Sequence, residues 1–280
     1  MTNELSIKVE SAIKLIKAAA PADGSPIEVC YSGGKDSDII LDLTKKSGVN
    51  YIAYYKNTTI DPPGTINHCL KNNVFIIQPK LTFLQLIENH GMPTRRVRHC
   101  CRYLKEYKIL DTAIQGIRRV ESVKRSKLYN PDDPIICRIY GSKKNHVSVV
   151  LPILNWSDED VFEYISENHI ECHPLYYNNK GEFNVSKRLG CLGCPLQSDN
   201  GVNDYLQYPT LLKTTTKSLL KWWYTHPSAK SHQKFSTPYG LLAHNLFFRT
   251  YHEYLNDTFT LFGETDWKKY IEQYFKIKLQ

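Results

Sequence analysis

The apolar run Ile27-Glu28-Val29-Cys30-Tyr31 passes without a spacer into Ser32-Gly33-Gly34-Lys35-Asp36-Ser37, and a helical pattern follows to Lys46. A strand that turns over two adjacent glycines straight into a helix restricts the chain to a small set of α/β arrangements. It also builds an anion cradle. The glycines let the backbone approach a ligand closely, and the first N–H groups of the helix have no intrahelical partners. Ser32 and Ser37 add hydroxyl donors, Lys35 a positive charge, and Asp36 a carboxylate suited to Mg²⁺. The glycine pair alone would pass for an ordinary strand-to-helix turn; the complete hexamer points to phosphate. Its spacing is not Gly-x4-Gly-Lys-Ser/Thr, so kinase or GTPase chemistry is not implied.

The surrounding pattern agrees with that reading. Leu5, Val9, Ala12, Ile13 and Ile16 recur at helical spacing and predict an amphipathic first helix ending near Pro21. Short apolar runs at 27–31, 51–55 and 74–77 are each trailed by a helical segment, at 37–46, 65–72 and 81–89. Such alternation predicts βαβ units and a mostly parallel twisted sheet flanked by helices. Further strands are expected at 113–117 and 147–151, and Trp156-Ser157-Asp158-Glu159 reads as the capped start of a helix ending near Asn168. The stretch 130–134, rich in Pro and Asp, reads as a loop. After Gly201 only helical patterns remain, so the expected organisation is a nucleotide-binding domain over 1–200 and a helical C-terminal extension over 201–280.

No apolar run approaches the roughly 18 residues of a membrane span, and Glu4, Lys8, Glu10, Lys14 and Lys17 interrupt any export-signal core. The expectation is a cytoplasmic protein with no membrane partner. The net charge of +8 is unevenly placed. Between Gly91 and Asn130 stand Arg95, Arg96, Arg98, Arg102, Lys105, Lys108, Arg118, Arg119, Lys124, Arg125 and Lys127 against only Glu106, Asp111 and Glu121, while the rest of the chain balances. A solvated basic face is one reading, and an electropositive wall for nucleotide phosphate or nucleic acid is the other.

Eight cysteines are too few for a small disulfide scaffold, and in a reducing compartment they read as thiols or metal ligands. Cys100-Cys101 and Cys191-x-x-Cys194 are the close pairs. As residues, four thiolates suit Zn²⁺ or an iron–sulfur cluster, with free redox-active thiols as the third reading. Cys30, Cys69, Cys137 and Cys172 are isolated and expected to be packed or surface thiols. His99 adjoins the first pair, as a donor to that site or a support of its loop. Trp222-Trp223 and Phe247-Phe248 are expected to be core.

The loop and three later elements together resemble the phosphoadenosine phosphosulfate (PAPS) reductase family of the PP-loop adenine nucleotide α-hydrolase superfamily. Gly116-Ile117-Arg118-Arg119-Val120-Glu121-Ser122, with Arg125, is similar to that family's Gly-Ile-Arg-x-x-Glu-Ser-x-x-Arg element. Pro152-Ile153-Leu154-Asn155-Trp156 is similar to its Pro-Ile-x-x-Trp segment, and Pro174-Leu175-Tyr176 to its Asn-Pro-Leu-Tyr turn. The resemblance covers roughly residues 26–197. One departure lies at 57–65, where Asn57-Thr58-Thr59 and Pro63-Gly64-Thr65 stand in place of the reductases' Asp-Thr-Gly and Pro-Glu-Thr.

The resemblance implies an adenine nucleotide held by Ser32, Gly33, Gly34, Lys35, Asp36, Ser37, Gly116, Arg118, Glu121 and Arg125, with Lys35, Asp36 and Arg118 as the catalytic residues: Asp36 holds Mg²⁺, and Lys35 and Arg118 with that ion neutralise charge on the reacting phosphates. For Cys100, Cys101, Cys191 and Cys194 it implies a [4Fe–4S] cluster. A similar cysteine set occurs in adenylyl-sulfate reductases and in the sulfur-incorporating ATP pyrophosphatase of DNA phosphorothioation systems. Three reactions are consistent with these residues. The first is cleavage of ATP to AMP and pyrophosphate, adenylating an acceptor that a sulfur nucleophile then attacks; DNA, tRNA or a small molecule would each serve as that acceptor, with a sulfur donor protein as a further partner. The second is reduction of adenylyl sulfate or PAPS to sulfite, which in the family uses a cysteine in a C-terminal tail. No cysteine follows Cys194, so the first is preferred. The third is a non-catalytic nucleotide-binding accessory role, which would not need Lys35, Asp36 and Ser37 all intact.

Overall fold

The structure is a computed structural model that describes residues 1–141, 145–257 and 266–279. In chain order the elements are α1 (Asn3–Ala19), β1 (Ile27–Tyr31), α2 (Lys35–Ser47), β2 (Tyr51–Lys56), α3 (Thr65–Lys71), β3 (Phe75–Ile77), α4 (Phe83–His90), α5 (His99–Leu104) and β4 (Thr112–Ile114). They continue with α6 (Val123–Leu128), β5 (Ile135–Ile139), β6 (His146–Val150), α7 (Asp158–Glu167), α8 (Val202–Gln207), α9 (Pro209–Thr225), α10 (Pro238–Leu246), α11 (Phe248–Asp257) and α12 (Trp267–Phe275). These pack as two units. One comprises Met1–Asn57, Asp61–Gln78 and Glu106–Gly190; the other comprises Thr58–Ile60, Pro79–Lys105 and Cys191–Gln280. The packing therefore does not divide the chain at residue 200. Both cysteine pairs belong to the second unit, with the C-terminal helices.

The first unit is built on a six-stranded sheet of order β3-β2-β1-β4-β6-β5, parallel except for the β5–β6 pair. Leu5, Val9, Ala12 and Ile16 put one stripe of α1 into the core, and Thr2 caps that helix by accepting from the Leu5 N–H at 3.3 Å. Ile27, Val29, Tyr31 and the apolar face of α2 share this core with Trp156, Val161 and Tyr164. Ser157 and Asp160 close a capping box at the start of α7, at the position read from the sequence.

Two strands differ from expectation. β4 stops at Ile114, which leaves Gln115 to Ile117 as a turn. β5 is not among the expected strands although Ile135-Ile136-Cys137-Arg138-Ile139 is an apolar run: it is an edge strand in which Ile135, Cys137 and Ile139 are exposed, so its exposed face is as apolar as its covered one and no period-2 alternation marks it.

The second unit is helical. Its core gathers Leu86, Ile87, Leu104, Tyr205, Leu212, Leu219, Trp222, Trp223, Leu242 and Ile271. The tryptophan pair is core as expected. Phe247 is half-buried and Phe248 exposed. Among the described residues no helix is long and apolar enough to cross a membrane.

Candidate active site

In an open parallel sheet, ligands bind beyond the C-terminal strand ends, where successive connections leave in opposite directions. Here that point lies between β1, whose connection leads to β2 on one side, and its other neighbour β4. Ser32 follows β1, and Gln115 and Gly116 follow β4, so topology brings the two expected motifs together. A cavity of about 280 Å³ opens there, lined by Cys30, Ser32, Gly34, Lys35, Asp36, Ser37, Gly116, Glu121, Arg125, Tyr176, Arg188 and Leu189.

The glycines and serines of the motifs each have a steric or hydrogen-bonding reason for their type. Gly33 has φ +77°, the left-handed conformation glycine adopts without strain. A Cβ at Gly116 would lie 2.7 Å from the Asp36 carbonyl oxygen, so only glycine lets the turn after β4 pass the first turn of α2. Gly34 supplies no capping side chain, which leaves the start of α2 open to an anion. Ser37 Oγ donates to the Gly34 carbonyl at 2.6 Å and lies 3.3 Å from Ser32 Oγ, tying the loop across its mouth.

The charges around the cavity are ordered. Lys35 is buried, with Nζ 3.5 Å from Asp36 Oδ2, and burial pulls its ammonium below the usual lysine range. Arg125 pairs with Glu121, whose carboxylate also accepts the Arg118 N–H at 3.1 Å. Arg188 donates to the Glu121 carbonyl. Burial and the neighbouring Arg188 both weaken the hold of Arg125 on its proton, so an anion placed between the two guanidiniums relieves both. Three cations thus face two carboxylates on the cavity wall.

Arg118 is placed differently from the other expected residues. Only 2% exposed, it does not line the cavity. Its Nε donates to Asp36 Oδ1 at 2.6 Å, and its terminal nitrogens to the Trp156 carbonyl at 3.4 Å and Asp158 Oδ1 at 2.8 Å. It therefore orients Asp36. Asp158 and Arg188 escaped sequence reasoning: Asp158 reads only as a helix-start residue, and Arg188 sits in a segment without periodicity.

Behind the loop lies a buried polar group that the sequence did not signal. Asp38 accepts from Tyr31 Oη, and its Oδ1 is 2.9 Å from His68 Nε2. The His68 ring meets His173 edge-on at 5.8 Å. His173 Nδ1 accepts the Leu175 N–H at 3.1 Å, so the neutral ring carries its hydrogen on Nε2, 3.3 Å from Thr65 Oγ1. Burial, followed by His68, lowers the His173 pKa to about 4. The ring is neutral in the folded chain where an exposed histidine would already be charged. Stability tied to His173 is complete above about pH 6.5 and falls as pH drops toward 4, by of order 3 kcal/mol in all. Urea midpoints at pH 7, 5.5 and 4.5 are expected to decline less for His173→Gln than for the wild type; equal declines would contradict the assignment.

The second unit holds the other candidate site. Cys100, Cys101, Cys191 and Cys194 all line one small apolar cavity of about 30 Å³, with Thr58, Ile60, Phe83 and Leu104. α5 presents the tandem pair. The Leu192 N–H donates to the Ile60 carbonyl at 2.8 Å, and the Gly193 N–H to Asp204 Oδ2 at 2.8 Å, which set the Cys-x-x-Cys turn. Gly193 has φ +65°, and a Cβ there would lie 2.5 Å from the Tyr205 ring. Its hydrogen bond with Cys101, then burial and the nearby Cys191, push the Cys100 thiol up. Among the described residues, no three His, Cys, Asp or Glu donors are drawn together as a metal site. The donor set nonetheless suits a thiophilic group: four thiols and neither carboxylate nor imidazole on the cavity wall. His99 lies beside His90, ring centroids 5.4 Å apart, with its Nε2 buried and unpartnered. Of the remaining cysteines, Cys69 and Cys172 are buried, Cys30 half-buried and Cys137 exposed.

The basic residues divide between the units. Arg95, Arg96, Arg98, Arg102 and Lys105 are exposed in the second; Lys108, Arg118, Arg119, Lys124, Arg125 and Lys127 belong to the first. Arg95 is engaged with Asn200 Oδ1, at 3.0 Å, and with the Gln197 carbonyl.

A profile of the phosphoadenosine phosphosulfate reductase domain matches residues 26–197. The chain is similar to an uncharacterized protein of Methanocaldococcus jannaschii, 32% identical over 184 residues, which are 60% of this chain and 41% of that protein. It thus spans about two fifths of that relative's length. It is also similar to an adenosine 5'-phosphosulfate reductase of Oceanobacillus iheyensis, 27% identical over 208 residues, 68% of this chain and 80% of that one. Among solved structures, a U34-tRNA thiolase from Methanococcus maripaludis with its [4Fe-4S] cluster matches over 79% of this chain and 80% of that chain, with a TM-score of 0.37 and 14% identity.

Proposed function

The chain belongs to the phosphoadenosine phosphosulfate reductase family, of the PP-loop type, and on that premise we propose that it is a cytoplasmic enzyme that cleaves ATP to AMP and pyrophosphate, adenylates an acceptor, and couples this to iron–sulfur-dependent sulfur transfer. The observation that carries the reading is the loop cavity of the first unit, with its open helix start, Lys35, Arg125 and Arg188, and one carboxylate, Asp36, beside the glycines. A carboxylate in a phosphate cradle repels its ligand unless a cation lies between them, and Mg²⁺ on a triphosphate typically uses one or two carboxylates and phosphate oxygens. Asp36 would hold that ion, which supplies charge neutralisation at the reacting phosphates when bound. Lys35, Arg125 and Arg188 would bind the pyrophosphate portion, and Arg118 would keep Asp36 oriented.

Cys100, Cys101, Cys191 and Cys194 would hold a [4Fe–4S] cluster, which supplies a thiophilic iron site for sulfur when bound. The acceptor read from the exposed arginines of the second unit is nucleic acid, DNA or tRNA, with a sulfur donor protein as further partner. Reduction of adenylyl sulfate or PAPS is the second reading, favoured by the similarity to the Oceanobacillus reductase over most of that protein.

The deciding experiment is anaerobic incubation with Mg·ATP, with and without DNA or tRNA, followed by product identification. AMP and pyrophosphate are expected; ADP and orthophosphate would contradict the proposal, and sulfite from adenylyl sulfate would promote the second reading. Nucleic-acid binding should weaken with salt at a log–log slope of about −0.7 to −0.9 per phosphate contacted. Reversing Arg96 and Arg98 to Glu should weaken it across sequences with ATP affinity unchanged. Arg95 is the poorer choice, because it also holds the loop that follows Cys194.

A further inference from the structure

The Pro174-Leu175-Tyr176 turn reaches the phosphate loop from a distant part of the first unit, and no role above uses its tyrosine. Tyr176 is 3% exposed and lines the loop cavity. Its Oη accepts two backbone N–H groups, from Lys35 at 3.2 Å and from Leu189 at 3.3 Å. A Cβ on Gly34 would lie 3.2 Å from that oxygen, so the hydroxyl stands against the bend of the loop. A phenol has one hydrogen to donate and an oxygen to accept with. Here the oxygen is occupied by two donors, and the hydroxyl donates to no protein acceptor among the described residues.

We propose that the Tyr176 hydroxyl is a ligand-binding donor, its hydrogen directed at a phosphate oxygen of the nucleotide held by the Ser32–Ser37 loop; this rests on the nucleotide reading of that site. The surroundings keep the phenol in its donating form, since burial pushes its pKa up. They also hold it in place. His173 accepts from the Leu175 N–H at the start of the turn. On its other side that ring meets Thr65, whose Cγ2 is the atom a Cβ on Gly33 would meet at 3.1 Å. Both glycines of the loop are thus backed by side chains of one connected group. Because the two N–H donors already fix the oxygen, the remaining O–H needs no reorganisation to meet an anion.

The test compares the full-length wild type with Tyr176→Phe and with difluorotyrosine placed at position 176, using calorimetric titration with Mg·ATP and with inorganic pyrophosphate. Tyr176→Phe is expected to weaken both ligands at least tenfold. That loss alone would not separate a ligand donor from a prop for the loop, because phenylalanine removes the acceptor too. Fluorination separates them: it strengthens the O–H as a donor and weakens the oxygen as an acceptor. A phosphate donor predicts tighter binding of the fluorinated protein at low pH, lost as pH rises through the lowered phenol pKa, with no such step in the wild type. Unchanged or weaker binding at low pH would overturn the proposal while leaving the nucleotide reading intact. A wild type that binds neither Mg·ATP nor pyrophosphate would overturn the nucleotide reading itself.

Discussion

Asp36→Ala should lower turnover of ATP at least tenfold, about 1.4 kcal/mol of barrier, and should also destabilise the folded chain by about 3 kcal/mol. Two separate physical effects are involved. The first is loss of the carboxylate that faces the loop cavity, where it would hold the metal. The second is the fate of Arg118, a guanidinium 2% exposed whose nearest carboxylate contact is Asp36 Oδ1 at 2.6 Å. With Asp36 gone, that buried charge keeps only the Trp156 carbonyl and Asp158, and the Asp158 side chain is 49% exposed and shared with solvent. Asp36→Asn distinguishes the effects, because its amide oxygen still accepts from Arg118 while the negative charge is lost. Most of the stability should return and little of the activity. Urea midpoints measured beside AMP release check both parts; an alanine variant with wild-type turnover would remove Asp36 from the reaction.

Cys191→Ser should bleach the protein. Purified without oxygen, the wild type is expected to be brown, with broad absorption near 400 nm and about four irons per chain. The serine variant should lose most of both. The reason lies in the shared cavity: the four thiols come from two segments of the second unit, and Cys191 influences Cys100 directly. Thiols crowded in an apolar pocket resist ionisation unless a cation replaces their protons, so a bound cluster should stabilise the second unit and its loss should lower that unit's thermal midpoint. Cys137→Ser, at an exposed position on the edge strand, is the control and should leave colour and iron unchanged. Stoichiometric zinc without iron in the anaerobic wild type would replace the cluster with a structural metal.

Much of the fold was legible because its determinants are local. The stripe Leu5, Val9, Ala12 and Ile16, the Ser157 cap, and the passage from Tyr31 through two glycines into α2 each report the conformation of their own segment. β5 was missed for another reason: Ile135-Ile136-Cys137-Arg138-Ile139 is an apolar run, but its exposed face carries Ile, Cys and Ile, so no alternation marks it as a half-exposed edge strand. In the candidate site, residue types whose reason is steric or local could be read directly, such as Gly33 at φ +77°. Gly116 shows the limit. Its motif marked it, but the reason, an approach of 2.7 Å to the Asp36 carbonyl oxygen for any Cβ, exists only once β1 and β4 are adjacent.

Contiguous residues were enough to specify the strand–glycine–helix loop, the parallel sheet that carries it and the close cysteine pairs, since their backbone preferences and side-chain chemistry act at short range. Packing between distant segments settled which of those residues meet. It turned Arg118 away from the cavity to hold Asp36, brought in Arg188 and Tyr176 from more than 130 residues beyond the loop, and gathered both cysteine pairs into the helical unit. Those pairings depend on strand order and on which charges are desolvated together, and neither quantity exists until distant segments pack.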